Sequence, residues 1–523
     1  MSKVLDSHTS NLKNIELLIR NGKVKEAKDY LLRITQNRNF SVSEKDLEKI
    51  ANLCRRAQLA TVAINLLSPI MKSFRDGKKQ RPTLRLIAEY AMALHRIGNS
   101  TEAKLLLEDR AAVAHSYSQF YLGLIFLSEW EYEKAKNCFI EYLKSRQLDS
   151  YELSLGELNL LATNIFLDPN NDSHEAEIMT FISRLEKLGF TLLANNAKEV
   201  LIQYYASFEE NETNWSKKNL QTKERFQQIL LNGNKLLTDL HSTRYSLYLQ
   251  KWLCVNQLKK DPKTALEDFY ALKEMARQFS SWEILRDCEF YIAKIKNSQD
   301  LFNKLYYGTP YTGYRQYILK RHEGFKPDEF YFWTSNQNLF NKKQVLDLSN
   351  FRVNGSTENL GMTGGVSHRT LLSLTSDLYR PLTVGSLFSK IYPNEYYDQA
   401  SSGLRVRQCI FRLKKDFDAN HLKIKINYTK GYTIEPLGLL NLKFSANLNT
   451  HFNESISKEE ILLLQVSKQF SDNPFTATQL SEFIGKSHSS AVRLLNKLIQ
   501  LDSLTVIGDG TSRKYLFKNK LAG

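Results

Sequence analysis

Five cations crowd the stretch from residue 405 to residue 415: Arg405, Arg407, Arg412, Lys414 and Lys415. Val406, Ile410 and Leu413 stand among them at spacings of four and three, so a helix here turns its apolar side chains to one face and its cations to the others. A face of this kind suits a polyanion. Duplex DNA has a major groove that admits a helix, and an Arg placed there makes a two-pronged contact with guanine. For any one of the five a solvated charged face is the plain alternative, but that alternative explains less for five on one helix.

A second constellation begins at Ser487-His488-Ser489-Ser490, followed by Ala491, Leu494, Leu495 and Leu498 on one helical side and by Arg493 and Lys497 off it. Little else in the chain has the spacing that catalysis needs. Gly361-Met-Thr-Gly-Gly365 lacks the lysine of a phosphate-binding loop, and neither H-E-x-x-H nor G-x-S-x-G occurs. The ten histidines are dispersed, and Cys54, Cys138, Cys254, Cys288 and Cys409 are far apart with no C-x-x-C pair. The expectation is therefore a non-enzyme with no metal and no cofactor, whose cysteines are reduced core thiols.

The elements that must position the first constellation begin near residue 343. Val345–Leu348 and Phe351–Val353 alternate like strands and run into Asn354-Gly355, a hairpin signal. Helices are predicted over 367–378, over 382–391 with Thr383 opening it, and over 401–417. Leu422–Asn427 then alternates strictly and turns through Thr429-Lys430-Gly431 into Tyr432–Ile434. This order of sheet, three helices and hairpin resembles the OmpR/PhoB-type winged-helix DNA-binding domain. Val406, Ile410 and Leu413 match its buried positions, Arg412-Leu413-Lys414-Lys415 its basic run, and Gly431-Tyr432 the close of its wing. Gln408 and Thr429 depart from the pattern, at a usual valine and at the first wing glycine. The resemblance implies base-edge readout by Arg412 and Lys414, phosphate contacts by Arg405, Arg407 and Lys415, and a wing contact to minor groove or backbone by Lys430.

After a linker expected over 437–455 come helices over 458–470 and 476–484, then Gly485 at a tight turn, then the helix 487–498. The strands Leu504–Ile507 and Arg513–Phe517 flank Gly508-Asp-Gly510. This segment resembles MarR- or DeoR-like winged helices. That resemblance implies Ser487, His488, Ser489 and Ser490 at base edges, Arg493 and Lys497 beside phosphates, and Arg513 and Lys514 on the wing. Many such modules dock proteins or dimerise instead, and this copy is less basic than the first.

Residues 1–300 hold only seven of the 22 glycines and four of the ten prolines, so helix follows helix there. Ala27, Ala63, Ala103 and Ala135 recur at spacings of 36, 40 and 32 residues, each but Ala63 in a turn–Ala–apolar pattern. Tyr121-Leu122-Gly123 supplies a matching first helix. The repeat resembles the tetratricopeptide family, which implies stacked helix pairs and a concave groove for a protein, peptide or small effector; an unrelated helical bundle is the alternative. The tyrosine-rich stretch Leu301–Arg321 is expected to be a packed joint, with base stacking as the rarer use of such residues.

The whole is thus expected to be mainly α: a TPR-like superhelix over 1–325, an OmpR-type winged helix over 341–437 and a second winged helix over 456–520. The 523 residues carry a formal net charge of +16, of which +9 falls on 341–523. A hydrophobic share of 42% excludes a wholly disordered chain. No receiver-like βαβ alternation precedes the basic module, no apolar run is long enough for a membrane helix, and the opening residues have no signal-peptide core, so a cytoplasmic location is expected. The sequence points to a sequence-specific transcription regulator whose partner is double-stranded DNA, with a possible homodimer. The competing reading is a non-enzymatic scaffold whose winged helices dock proteins.

Overall fold

The computed structural model describes residues 12–36, 43–78, 80–109, 111–169, 171–209, 243–322, 324–334, 344–354, 360–445, 466, 469–470, 473–484, 487–500, 504–508 and 513–517. They are mainly helical, with a few small sheets. Two compact units divide them. The first draws on residues 1–331, 374–407 and 426–434, the second on 332–373, 408–425 and 435–523, so neither is contiguous in the chain.

Among its described residues between 12 and 321 the first unit is mostly helix after helix, many of them joined by short turns. Short turns make successive helices antiparallel neighbours. Ala27, Ala63, Ala103 and Ala135, spaced as described, are all fully buried. Two glycines show how near the backbones come. A Cβ on Gly123 would lie 2.6 Å from the Phe139 ring, and one on Gly156 would lie 2.7 Å from Tyr142. Side-chain caps start several helices, as at Asp149, which accepts from the Glu152 amide at 2.8 Å while Glu152 reaches back to the Asp149 amide.

The inner sides of Glu44–Arg56, Leu84–Arg96 and Ser116–Ser128 carry a buried polar ladder. Glu89 accepts from Arg55 at 2.9 Å and from Asn52 at 2.7 Å, and Tyr121 also donates to it. Burial works to raise the Glu89 carboxyl, but Arg55 and Arg85 hold it below the usual range. Arg20, on the helical residues 12–20, reaches Asp149 at 3.2 Å and lies 4.3 Å over the ring of Tyr151. The first helical hairpin therefore touches the fifth.

Residues 374–380 belong to this unit. The helix expected over 367–378 is Val366–Thr375, because the Asp377 carboxylate accepts the amides of Tyr379 and Arg380 at 3.0 and 3.1 Å and folds the chain into a turn. The same carboxylate pairs with Arg286 at 3.2 Å, both buried, beneath the rings of Tyr311, Tyr314 and Tyr379. The tyrosines of the 301–321 joint pack rather than forming an open stacking surface: Tyr307 and Tyr314 are fully buried.

Thr383 caps Val384–Ile391 by accepting the Ser386 amide at 3.2 Å, and its hydroxyl donates to the Ile97 carbonyl. Gly98 and Gly385 line that approach. A Cβ on Gly385 would sit 2.6 Å from the Ile97 oxygen. Glu102 accepts the Tyr397 amide at 2.8 Å, and Arg75 lies 3.7 Å over Tyr396.

A four-stranded sheet, all of it but Phe330 and Tyr331 in the second unit, runs in the order Phe330–Trp333, Leu440–Ser445, Gln344–Asp347, Arg352–Val353. Leu440–Ser445 pairs parallel with Gln344–Asp347, Leu442 opposite Leu346. The sequence had placed a linker over 437–455. Nearly every residue of this strand is buried, as an interior strand covered on both faces requires. His368 locks the adjoining turn, its Nε2 donating to Leu348 O at 2.7 Å and its Nδ1 accepting the Gly364 amide at 2.9 Å. A separate small core in this unit gathers Phe475, Leu480, Ala491, Leu495, Leu498, Leu504 and Tyr515.

Candidate nucleic-acid interface

The helix expected over 401–417 spans Ser402–Ala419. Asp398 sets its start by accepting the Ser401 amide and hydroxyl, each at 2.9 Å. Val406, Ile410 and Leu413 are buried as the spacing requires, with Cys409 and Phe417 completing the stripe. Arg407, Gln408, Phe411, Arg412, Lys414 and Lys415 face solvent. No ion pair joins Arg407, Arg412, Lys414 or Lys415 to a carboxylate among the described residues. The Lys415 ammonium lies 4.9 Å from the Phe411 ring centroid.

Two expected contact residues are engaged elsewhere. Arg405 grips Glu395 with both terminal nitrogens, one at 2.9 Å, and its guanidinium lies 4.0 Å over Tyr392. The hydrogen bond to Glu395 holds its pKa above the usual value. Arg405 thus forms a surface ion pair and packs its guanidinium within the 392–405 segment. Lys430, at the hairpin tip, donates to Ser280 Oγ at 2.8 Å. Ser280 sits in a left-handed turn at φ 58° between Pro262–Gln278 and Trp282–Lys296. The ammonium expected to reach DNA from the wing is thus held within its own unit.

The strands Ile424–Tyr428 and Tyr432–Pro436 form the expected hairpin, and Leu382 adds a third rung by exchanging amide hydrogen bonds with Tyr432, both at 2.8 Å. Gly431 is required where it stands, since a Cβ there would lie 2.9 Å from the Leu382 carbonyl. Set beside known families, characterised proteins and solved structures, the chain matches none.

The second constellation lies on Ala477–Ile484, His488–Gln500 and the hairpin Leu504–Ile507/Lys514–Phe517, with Ile507 opposite Lys514. Phe475 and Tyr515 exchange amide hydrogen bonds at 2.9 and 2.8 Å, adding a third rung here too. Ser487, His488, Ser489, Arg493, Arg513 and Lys514 are exposed, and the Ser487 and Ser489 hydroxyls lie 3.1 Å apart. Ser490 and Lys497 are on the same helix. Gly485, the Asp509-Gly510 turn and most of the helix expected over 458–470 lie outside the described residues.

Sequence reasoning passed over Phe411 and read Gln408 only as a departure. Both were visible on a helical wheel, since they follow Leu404 and precede Lys415 along one solvent-facing line. Glu395 and Ser280, which capture Arg405 and Lys430, carried no local signal. Among the described residues no three His, Cys, Asp or Glu side chains gather as metal ligands, and no helix is long and apolar enough to cross a membrane.

Proposed function

We propose that this chain is a sequence-specific DNA-binding transcription regulator, with TPR-like helical repeats carrying two winged-helix modules. The observation that carries the reading is the Ser402–Ala419 helix: one face buried, the other presenting four cations without carboxylate partners among the described residues, followed by a hairpin with a third rung. Arg412 and Lys414 read base edges, and Arg407 and Lys415 hold phosphates. Arg405 and Lys430 are left out of the contact set. The second module adds Ser487, His488, Ser489, Ser490, Arg493, Lys497, Arg513 and Lys514 as a weaker reader or a dimerisation surface. The partners are double-stranded DNA and, through that second module, a second copy of the chain.

The test is retention of the full chain on random duplex DNA at low salt with release as salt rises. Lys415→Ala lowers affinity for all sequences alike and reduces the salt slope by about one, whereas Arg412→Ala costs about 1–3 kcal/mol on the preferred sequence only. Equal losses on preferred and random DNA for Arg412→Ala refute its assignment. The less basic recognition face of the second module favours a second reading, a protein-docking scaffold. That reading requires no retention at low salt.

A further inference from the structure

The exposed face of the Ser402–Ala419 helix is not uniformly charged. Phe411 lies at its middle with 60% of its surface open to solvent, flanked by Arg407, Arg412, Lys414 and Lys415. An exposed phenyl forgoes the gain that burial would return, and the apolar stripe of Val406, Cys409, Ile410, Leu413 and Phe417 is complete without it. The ring is not idle in place. The Lys415 ammonium at 4.9 Å steadies it from one side and carries positive charge along with it.

An apolar ring set in a cationic face is matched by a polyanion that carries an apolar spot among its polar groups. In the major groove each base pair shows hydrogen-bond donors and acceptors, and the apolar group presented there is the thymine 5-methyl. Gln408 precedes Phe411 by three residues on the same open face, and a glutamine amide matches the N6 and N7 edge of adenine.

We propose that Phe411 is a specificity-determining residue that packs on a thymine methyl, so the DNA this helix prefers contains a thymine at the position facing the helix centre. This rests on the DNA-binding reading above and adds to it the base read at one position. Uracil lacks only that methyl. Replacing the thymine with deoxyuridine therefore removes the proposed contact and leaves every hydrogen bond in place.

The experiment uses the full chain. Preferred duplexes are first selected from a random library, and each thymine of the selected site is then replaced singly by deoxyuridine. At one position the wild type loses affinity about fourfold, the worth of one methyl-sized group at about 0.8 kcal/mol. Phe411→Ala binds the thymine and deoxyuridine duplexes equally, and Phe411→Leu, which keeps an apolar side chain and guards against a folding defect, retains part of the difference. Gln408→Ala keeps the full methyl effect while losing preference at a neighbouring adenine. If selection yields no preferred sequence, the DNA-binding reading falls and this inference with it. A preferred sequence insensitive to deoxyuridine at every thymine overturns the role of Phe411 and leaves that reading standing. So does a methyl effect that survives in Phe411→Ala, or a Phe411→Ala variant changed only in self-association.

Discussion

Replacing Gly385 with alanine tests whether the Val384–Ile391 helix is seated on the turn at Ile97–Gly98. In a free helix the change is favourable, because alanine is preferred over glycine by about 1 kcal/mol. Seated as described, the new Cβ would lie 2.6 Å from the Ile97 carbonyl oxygen and 3.1 Å from its Cδ1. A backbone oxygen cannot rotate away as a side-chain end can. Overpacking of this kind costs about 1–3 kcal/mol, so the balance is a net loss of up to about 2 kcal/mol. Gly403, in the helix Ser402–Ala419, is the control. Its Cβ would meet nothing nearer than Arg407 Nη1 at 3.9 Å, so Gly403→Ala gains about 0.5–1 kcal/mol. Urea unfolding of the full chain measures both, read from midpoints at unchanged slope. Hydrogen exchange over 384–391 reports whether the loss is local. A Gly385→Ala variant as stable as Gly403→Ala, or more so, refutes the seating of this helix.

Three further outcomes follow from buried groups and from the second module. Asp377→Ala strands the Arg286 guanidinium in the tyrosine box and destabilises the chain by about 3–5 kcal/mol, while Arg286→Met with Asp377→Asn, which keeps an acceptor for the Tyr379 and Arg380 amides, recovers most of the loss; a single variant that melts like the wild type refutes the pair's role. Burial pushes His95 down to about 3 and His368 down to about 4 from the ordinary 6.5. The unfolded chain therefore takes up protons below pH 6.5 that the folded chain refuses, and stability falls from pH 6.5 toward pH 4 by up to about 1 kcal/mol per pH unit for each ring. His368→Gln should flatten that slope in urea titrations, and an unchanged slope counts against its neutral, buried state. Replacing both Arg493 and Lys497 with alanine shortens the nuclease footprint to the first module's site; an unchanged footprint with self-association abolished makes the second module a dimerisation surface.

What the sequence made legible was local. Val406, Ile410 and Leu413 placed the Ser402–Ala419 helix because their spacing is that of the helix itself, and Thr383 announced the next cap by its type. The alanines at 27, 63, 103 and 135 marked buried helix contacts for the same reason. What stayed hidden depended on partners distant in the chain. Leu440–Ser445 follows a proline and a glycine and looks like a tether until Gln344–Asp347, almost a hundred residues earlier, is set beside it. Arg405 and Lys430 were given phosphate and wing contacts because a sequence shows a charge and not the Glu395 carboxylate or Ser280 hydroxyl beside it. Phe411 was overlooked for the opposite reason, its neighbours drawing attention to charge alone.

The contact between Arg20 and Asp149 bears on how this helical array can change over evolutionary time. An open row of repeats gains or loses a member at its end or in its middle with little disturbance, because each member touches only its neighbours. Here the first hairpin also grips the fifth. Duplicating or deleting one of the hairpins between them would carry the Ser150–Leu167 helix out of register with residue 20 and strand the Glu16–Arg20–Asp149 charges. Such a change would therefore cost this segment the Arg20–Asp149 pair and the packing of Arg20 on Tyr151, a small added penalty on altering the number of hairpins between them.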